Sequence, residues 1–102
     1  DGAKFALPMA TAALFTHFYR ILKYHALLKS RPSASTSEKA SLLGVNPYFL
    51  REYDTALRNY PPGKARSAIA LLKEYDFKGK GGDNGEASPG ELFTELILKL
   101  LA

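Results

Sequence analysis

Apolar residues recur every three or four positions along most of this 102-residue chain, and clusters of proline, glycine and serine separate the repeats. That spacing is typical of amphipathic helices. No convincing stretch alternates apolar and polar residues as a half-buried strand does, and valine, which favours strands, occurs once. We therefore expect an all-α fold, a compact bundle of about five helices.

The first predicted helix runs from about Pro8 to Ser30, with Pro8 in its first turn, and Pro32 ends it. Its apolar residues form one face at helical spacing, and further apolar residues lie on its other sides. This distribution indicates either a helix at the centre of the bundle or one that packs against a second partner. Arginine, lysine and histidine interrupt the helix, and charges are costly at bilayer depth. We expect no membrane span here.

Capping residues delimit the next two helices. Ser35 starts a capping box and Gly44 suits a left-handed C-terminus, which predicts a short second helix between them. Asn46 followed by Pro47 is typical of an N-cap and first helical position, so a third helix opens there and runs to about Asn59.

A Tyr-Pro-Pro-Gly break occupies positions 60–63, and the fourth predicted helix follows it and runs to about Phe77. Residues 78–87 form a glycine-rich loop, and Ser88 with its following proline, glycine and glutamate starts a fifth helix. The apolar face of that helix continues to Leu101, so we expect the C-terminus to be docked.

Composition narrows the chemistry. The net charge is +4, and there is no cysteine, which excludes disulfides, thiolate metal sites and a cysteine nucleophile. The charge is uneven: residues 1–31 carry five basic and one acidic side chain, residues 58–80 six and two, and residues 81–102 one and four. Such asymmetry points to partners with acidic or phosphate-bearing surfaces.

No set of residues predicts catalysis or a cofactor. Lys80 precedes a glycine rather than a serine or threonine, and no strand leads into it, so a nucleotide-binding loop is not indicated. His17 and His25 are eight residues apart, too far to share a metal, and we expect His25 to be partly buried with a backbone partner. We predict that the chain is not an enzyme and has no cofactor.

The second and third helices admit a DNA-binding interpretation. Ala40, Gly44 and Leu50 have the spacing of a helix-turn-helix. The second helix of that pair would present nearly equal numbers of basic and acidic side chains. Because contacts to phosphates supply most of the affinity for DNA, a groove-binding helix is expected to be basic. A free-standing helix-turn-helix DNA-binding domain therefore stays as the alternative hypothesis, beside two helices packed at a steep angle in a bundle.

Several short motifs together carry a family resemblance, strongest over residues 40–100. They are Leu-Gly-Val-Asn-Pro-Tyr-Phe-Leu-Arg-Glu-Tyr at 43–53, Ala-Leu-Arg-Asn-Tyr at 56–60, Ala-Leu-Leu-Lys-Glu-Tyr-Asp at 70–76, Lys-Gly-Lys-Gly at 78–81 and Gly-Glu-Leu at 90–92. The chain resembles the C-terminal domain of the bacterial DNA polymerase III delta subunit, a protein of the sliding-clamp loader, and is similar in character to Bacteroidetes members.

The resemblance implies a cytoplasmic assembly module, with residues 1–102 as one helical collar domain excised from a longer chain. Delta-family collar domains have no catalysis of their own and join the matching domains of the gamma or tau and delta-prime subunits in a five-membered ring. The region upstream of the collar, absent from these residues, binds and opens the sliding clamp. The collar also closes a chamber that holds primer-template DNA.

Two sets of site residues follow. Tyr48, Phe49, Arg51 and Arg58 lie at the start and outer side of the third helix, and aromatic and arginine residues are common interface anchors, so these four are the candidate subunit interface. Phe49 also has a competing interpretation, because we expect it, with Tyr53, to belong to the core.

The second set is Lys78 and Lys80, between the fourth and fifth helices. Their charge and the neighbouring glycines would allow close approach to a nucleic-acid backbone. We predict them as the candidate DNA-backbone contact, with a simple connector as the alternative.

Overall fold

A computed structural model describes residues 3–80 and 88–101, and the side chains of residues 9–80, 88 and 90–101. Every regular element within those residues is helical, which confirms the all-α fold class. There are five α-helices and one 3₁₀ turn: α1 (Ala3–Ser30), α2 (Thr36–Leu43), the 3₁₀ turn (Pro47–Phe49), α3 (Leu50–Asn59), α4 (Pro62–Gly79) and α5 (Pro89–Leu101).

The predicted caps are confirmed in atomic detail. Ser35 Oγ accepts a hydrogen bond from the Glu38 backbone N–H at 3.1 Å, and Ser88 Oγ accepts one from Glu91 N–H at 3.2 Å. Gly44 adopts φ +69°, and its N–H donates back into the last turn of α2. The left-handed backbone there is one that glycine adopts without the strain of a Cβ atom.

Three predicted boundaries are wrong by several residues. α1 begins at Ala3, so Pro8 lies in the second helical turn rather than the first. Asn46 caps a 3₁₀ turn rather than α3 itself, because the chain makes one tighter turn before it relaxes into α-helix at Leu50. α4 extends to Gly79, two residues past Phe77. The rest of the predicted glycine-rich loop, residues 81–87, lies outside the described residues.

The chain divides into two units, which we call the central unit (His17–Arg66) and the terminal unit (Asp1–Thr16 with Ser67–Ala102). The buried residues of the central unit are Phe18, Ile21, Tyr24, Leu27, Ala40, Leu43, Leu50, Tyr53 and Ala65. Those of the terminal unit are Thr11, Ala68, Ile69, Leu72, Tyr75, Leu92 and Leu96.

The buried residues of α4 recur at helical spacing and form one stripe: Ala65, Ala68, Ile69, Leu72 and Tyr75. The stripe of α5 is buried at Leu92 and Leu96, but Leu98 and Leu101 are exposed. The expectation that α5 is docked to its last residue is therefore wrong for Leu101.

Candidate interaction surfaces

The central unit carries an aromatic surface at the turn between α2 and α3. Asn46 Oδ1 accepts a hydrogen bond from the Tyr48 backbone N–H at 2.9 Å, and Pro47 fixes φ at the first position of the turn. The turn therefore holds Tyr48 outward, with 83% of the residue exposed. Phe49 packs edge-on against the Tyr48 ring, with the ring centroids 5.4 Å apart.

The Tyr48 surface consists of Pro47, Tyr48, Phe49 and Arg51. A shallow groove there is lined by Pro47, Tyr48, Arg51 and Glu52, so the structure brings three of the four predicted interface residues together. The fourth, Arg58, lies seven residues beyond Arg51, or about 10 Å along the helix axis. It donates to Thr55 Oγ1 at 3.2 Å.

The two core expectations for this segment have different outcomes. Tyr53 is buried, as predicted, whereas Phe49 is 44% exposed, so its assignment to the core is wrong. The 3₁₀ turn explains the difference, because the buried stripe of α3 begins only where the α-helix does, at Leu50. Phe49 is left one position outside that stripe.

Arg20 of α1 contacts the end of α2 at the turn that leads into α3. Its guanidinium donates from Nε to the Leu43 carbonyl at 3.0 Å and from a terminal nitrogen to the Gly44 carbonyl at 3.4 Å. The other terminal nitrogen lies 3.5 Å from the Tyr53 hydroxyl oxygen. A helix C-terminus leaves carbonyls without partners inside the helix, and a cation is favoured there. Arg20 thus fixes the end of α2 against α1.

Tyr24 forms a second link, one helical turn further along α1. Its hydroxyl donates to the Asp54 carboxylate in α3. Burial, that hydrogen bond and the negative charge of Asp54 together raise the pKa of Tyr24 to about 12. No sequence signal predicts this pairing, because Tyr24 lies outside the main apolar face predicted for α1 and its partner is 30 positions away.

The two histidines have different surroundings. The His17 ring lies 5.4 Å from the Tyr53 ring, centroid to centroid, and burial, followed by the positive charge of Arg20, lowers the pKa of His17. His25 is half-buried, and its Nε2 donates to the Tyr60 carbonyl at 2.8 Å. The predicted backbone partner of His25 is confirmed. Among the residues that the structure describes, no group of three or more metal-ligating side chains comes together.

Lys78 and Lys80 are engaged with acidic residues of α4. Lys78 Nζ lies 3.5 Å from the Glu74 carboxylate, and Lys80 Nζ lies 2.9 Å from that of Asp76. Lys78 Nζ also lies 4.8 Å from the centre of the Tyr75 ring. Both predicted DNA contacts therefore lie at the end of α4, each beside a carboxylate that offsets its charge.

A groove with a basic lining lies within the central unit, between α1 and the start of α4. Its volume is about 380 Å³, and its lining residues are Leu22, His25, Ala26, Lys29, Pro62 and Arg66. We call it the Lys29 groove. The sequence analysis did not single it out, because its two cations lie 37 positions apart on different helices.

Comparison with known proteins gives no family assignment: no family, no curated protein and no solved structure matches this chain. No helix within the described residues is long and apolar enough to cross a membrane.

Proposed function

We propose that this chain is the subunit-assembly module of a DNA polymerase III clamp loader, the collar domain of its delta subunit. In this role it joins the delta subunit to the pentameric collar, so that the loader can open the sliding clamp and place it on primer-template DNA. The observation that carries the proposal is the Tyr48 surface, in which two aromatic rings and an arginine face outward. The motifs at 43–53 that resemble the delta family contain these same residues.

The physical case for an assembly surface rests on how the aromatic pair is held. Tyrosine and arginine are over-represented among the residues that dominate binding energy. Tyr48 is 83% exposed, so its burial against a partner would remove a large apolar area from water and contribute favourable free energy to binding. The Asn46 cap and the Arg20 hydrogen bonds order the turn beforehand, so less conformational entropy is lost on assembly.

In this proposal the chain is cytoplasmic and performs no catalysis. Its partners are the gamma or tau and delta-prime type subunits, which contribute their own collar domains. Contact with the sliding clamp belongs to the upstream region of the delta subunit, and ATP hydrolysis belongs to other subunits of the loader.

The test is reconstitution of the loader from the natural full-length protein and its candidate partner subunits. We expect Tyr48→Ala combined with Arg51→Ala to weaken assembly at least tenfold in a titration followed by light scattering or native mass spectrometry. Each substitution removes an exposed side chain, so the thermal unfolding midpoint should change little.

The matched control is Phe77→Ala combined with Lys73→Ala. These residues provide an exposed aromatic ring and an exposed cation in the terminal unit. The control variant should assemble normally. Normal assembly of the Tyr48/Arg51 variant would remove that surface from the interface, and failure of the unaltered protein to join any loader subunit would overturn the assembly function itself.

The alternative, a helix-turn-helix DNA-binding domain, is favoured by one observation. α2 and α3 do form a helix pair joined through the left-handed Gly44. Against it, the exposed side of α3 carries Glu52 and Asp54 beside Arg51 and Arg58, so the helix presents no net positive charge. Sequence-specific binding of duplex DNA that is lost in an Arg51→Ala/Arg58→Ala variant would support this alternative over the assembly role.

A further inference from the structure

The central unit holds most of the positive charge of the molecule. Residues 17–66 carry nine basic and three acidic side chains, whereas the terminal unit carries five basic and seven acidic ones. Two of the three acidic residues are already engaged, Glu38 with Arg31 and Asp54 with the Tyr24 hydroxyl. The central unit therefore has a large excess of positive charge that its own carboxylates do not offset.

Two of these cations, Lys29 and Arg66, line the Lys29 groove. Lys29 comes from the last turn of α1 and Arg66 from the second turn of α4, and both are exposed. No acidic residue lines the groove, and within the described residues neither cation has a carboxylate within 4 Å. The groove thus differs from the end of α4, where Lys78 and Lys80 are each paired.

The chemistry of the lining suits a phosphate group. A guanidinium presents a planar fork of donors that can bind two phosphate oxygens together, and an ammonium adds a compact point charge. Of the remaining lining, Leu22, Ala26 and Pro62 are apolar and would lie against a sugar or base. The sixth residue, His25, has its Nε2 engaged with the Tyr60 carbonyl. A volume of about 380 Å³ is in the range of sites that hold small ligands.

The surroundings favour a polymer over a single small anion. A second groove, lined by Lys23, Leu27, Ser30, Arg31 and Leu42, shares Ala26 with the first. The exposed Lys64 lies two residues before Arg66, and its ammonium is 5.1 Å from the centre of the Tyr60 ring, which leaves its charge unneutralised. Lys23 in the second groove and Lys64 near Arg66 therefore extend the positive charge beyond the Lys29 groove, whereas Arg31 is paired with Glu38. Such a row of cations suits successive phosphates of one strand.

We propose that the Lys29 groove binds the phosphate backbone of a nucleic acid, with Arg66 and Lys29 as its principal contacts. This site is separate from the Tyr48 surface, and neither depends on the other. It also places the backbone contact of this chain on the central unit, at cations without acidic partners, rather than at Lys78 and Lys80.

The experiment measures binding of a fluorescein-labelled 20-nucleotide single-stranded DNA, and of the matching duplex, to the natural full-length protein across a range of salt concentrations. We expect Lys29→Ala combined with Arg66→Ala to weaken single-strand binding about tenfold at low salt. Each lost phosphate contact should also reduce the slope of log K against log salt by about 0.7, so the double variant should lose about 1.4.

The matched control is Lys73→Ala combined with Lys99→Ala, which removes the same charge from exposed positions of the terminal unit. A second variant, Lys29→Arg combined with Arg66→Lys, keeps the charge of the groove and should retain the salt slope. Backbone amide shifts of residues 22–29 and 63–66 on titration with the unlabelled strand should locate the contact independently of affinity.

Several outcomes would overturn the proposal. An equal loss in the Lys73/Lys99 control would mean that net charge alone is responsible. Competition by polyglutamate as effective as competition by DNA would assign the groove to an acidic protein segment instead. The two proposals can fail separately. Normal loader assembly by the Lys29/Arg66 variant would show that the groove is not needed for assembly. An unaltered DNA salt slope in the Tyr48/Arg51 variant would show that the Tyr48 surface is not needed for DNA binding.

Discussion

The central and terminal units use their charged side chains in different ways. In the terminal unit Lys78, Lys80 and Lys99 each lie within 4 Å of a carboxylate four residues earlier in the same helix. Lys78 and Lys99 also place their ammonium groups 4.8 and 5.1 Å from the centre of the Tyr75 ring. These lysines are occupied within their own unit.

In the central unit Arg20 donates to backbone carbonyls rather than to carboxylates, and Arg31 pairs with Glu38. Lys29, Arg51 and Arg66 are exposed and make no ion pair within the described residues. A cation that bonds within its own helix contributes little to partner recognition, whereas one without an acidic neighbour keeps its charge for a ligand. The difference supports the proposal that binding is concentrated in the central unit.

The largest expected effects are on the two buried cores. Ile21 and Leu72 are fully buried, one in each unit. We expect Ile21→Ala and Leu72→Ala each to lower the free energy of unfolding by about 2–5 kcal/mol, because each removes buried methylene groups and leaves a cavity. Chemical denaturation measures the loss, and native-state hydrogen exchange shows which amides lose protection.

The control for these core variants is Leu98→Ala, because Leu98 is exposed on α5 and its loss should cost little. If the two units are distinct in stability, Ile21→Ala should expose amides of the central unit first and Leu72→Ala those of the terminal unit. An identical loss of protection throughout the chain in both variants would contradict that distinction.

The next largest effect is expected at Arg20. Arg20→Ala removes the donors to the Leu43 and Gly44 carbonyls at the end of α2. We expect a loss of about 1–3 kcal/mol in the free energy of unfolding, because a partly buried carbonyl is left without its partner. The control is Lys23→Ala, an exposed cation one turn further along α1. Equal stability of the two variants would show that Arg20 acts only as a surface charge.

The helices themselves could be predicted from the sequence because their signals are local. Ser35, Gly44, Asn46 and Ser88 each act within three or four residues. The structure confirms three of these caps, whereas Asn46 caps the 3₁₀ turn that precedes α3. Helix boundaries are harder to predict where a residue is tolerated at several positions of a helix. Proline is tolerated in the first turn but does not mark it, so Pro8 gave a helix start five residues too late.

The contacts that build the candidate surfaces could not be predicted, since they join residues far apart in the sequence. Arg20 bonds to residues 23 and 24 positions away, and Tyr24 to one 30 positions away. Periodicity places Tyr24 on a face but cannot choose its partner. Phe49 shows the same limit, because α-helical spacing would place it in the core and a single 3₁₀ turn places it outside.

A smaller effect is expected at Tyr24. Tyr24→Phe keeps the ring but removes the hydrogen bond to Asp54, which should lower the free energy of unfolding by about 1 kcal/mol at neutral pH. The pKa of this tyrosine is raised to about 12 in the folded protein, against about 10 when unfolded. The stabilisation is therefore complete below pH 10 and is lost as the pH rises towards 12.

Denaturant titrations of the wild-type and Tyr24→Phe proteins at several pH values measure this difference. The gap in stability should narrow between pH 10 and pH 12. Tyr48→Phe, at the exposed aromatic surface, is the matched control and should leave stability unchanged. A gap that is constant over this range would mean that Tyr24 is not the titrating group.

The smallest effect concerns His17, which shares its surroundings with Arg20 and Tyr53. Burial and the Arg20 charge lower its pKa in the folded protein, so the unfolded chain binds a proton more readily as the pH falls below about 6.5. Stability from this group is therefore complete above that pH and decreases below it. His17→Gln should flatten the decrease between pH 7 and pH 5, measured by thermal unfolding in buffers of equal ionic strength. An unchanged decrease in the variant would assign the pH dependence of stability to other titratable groups.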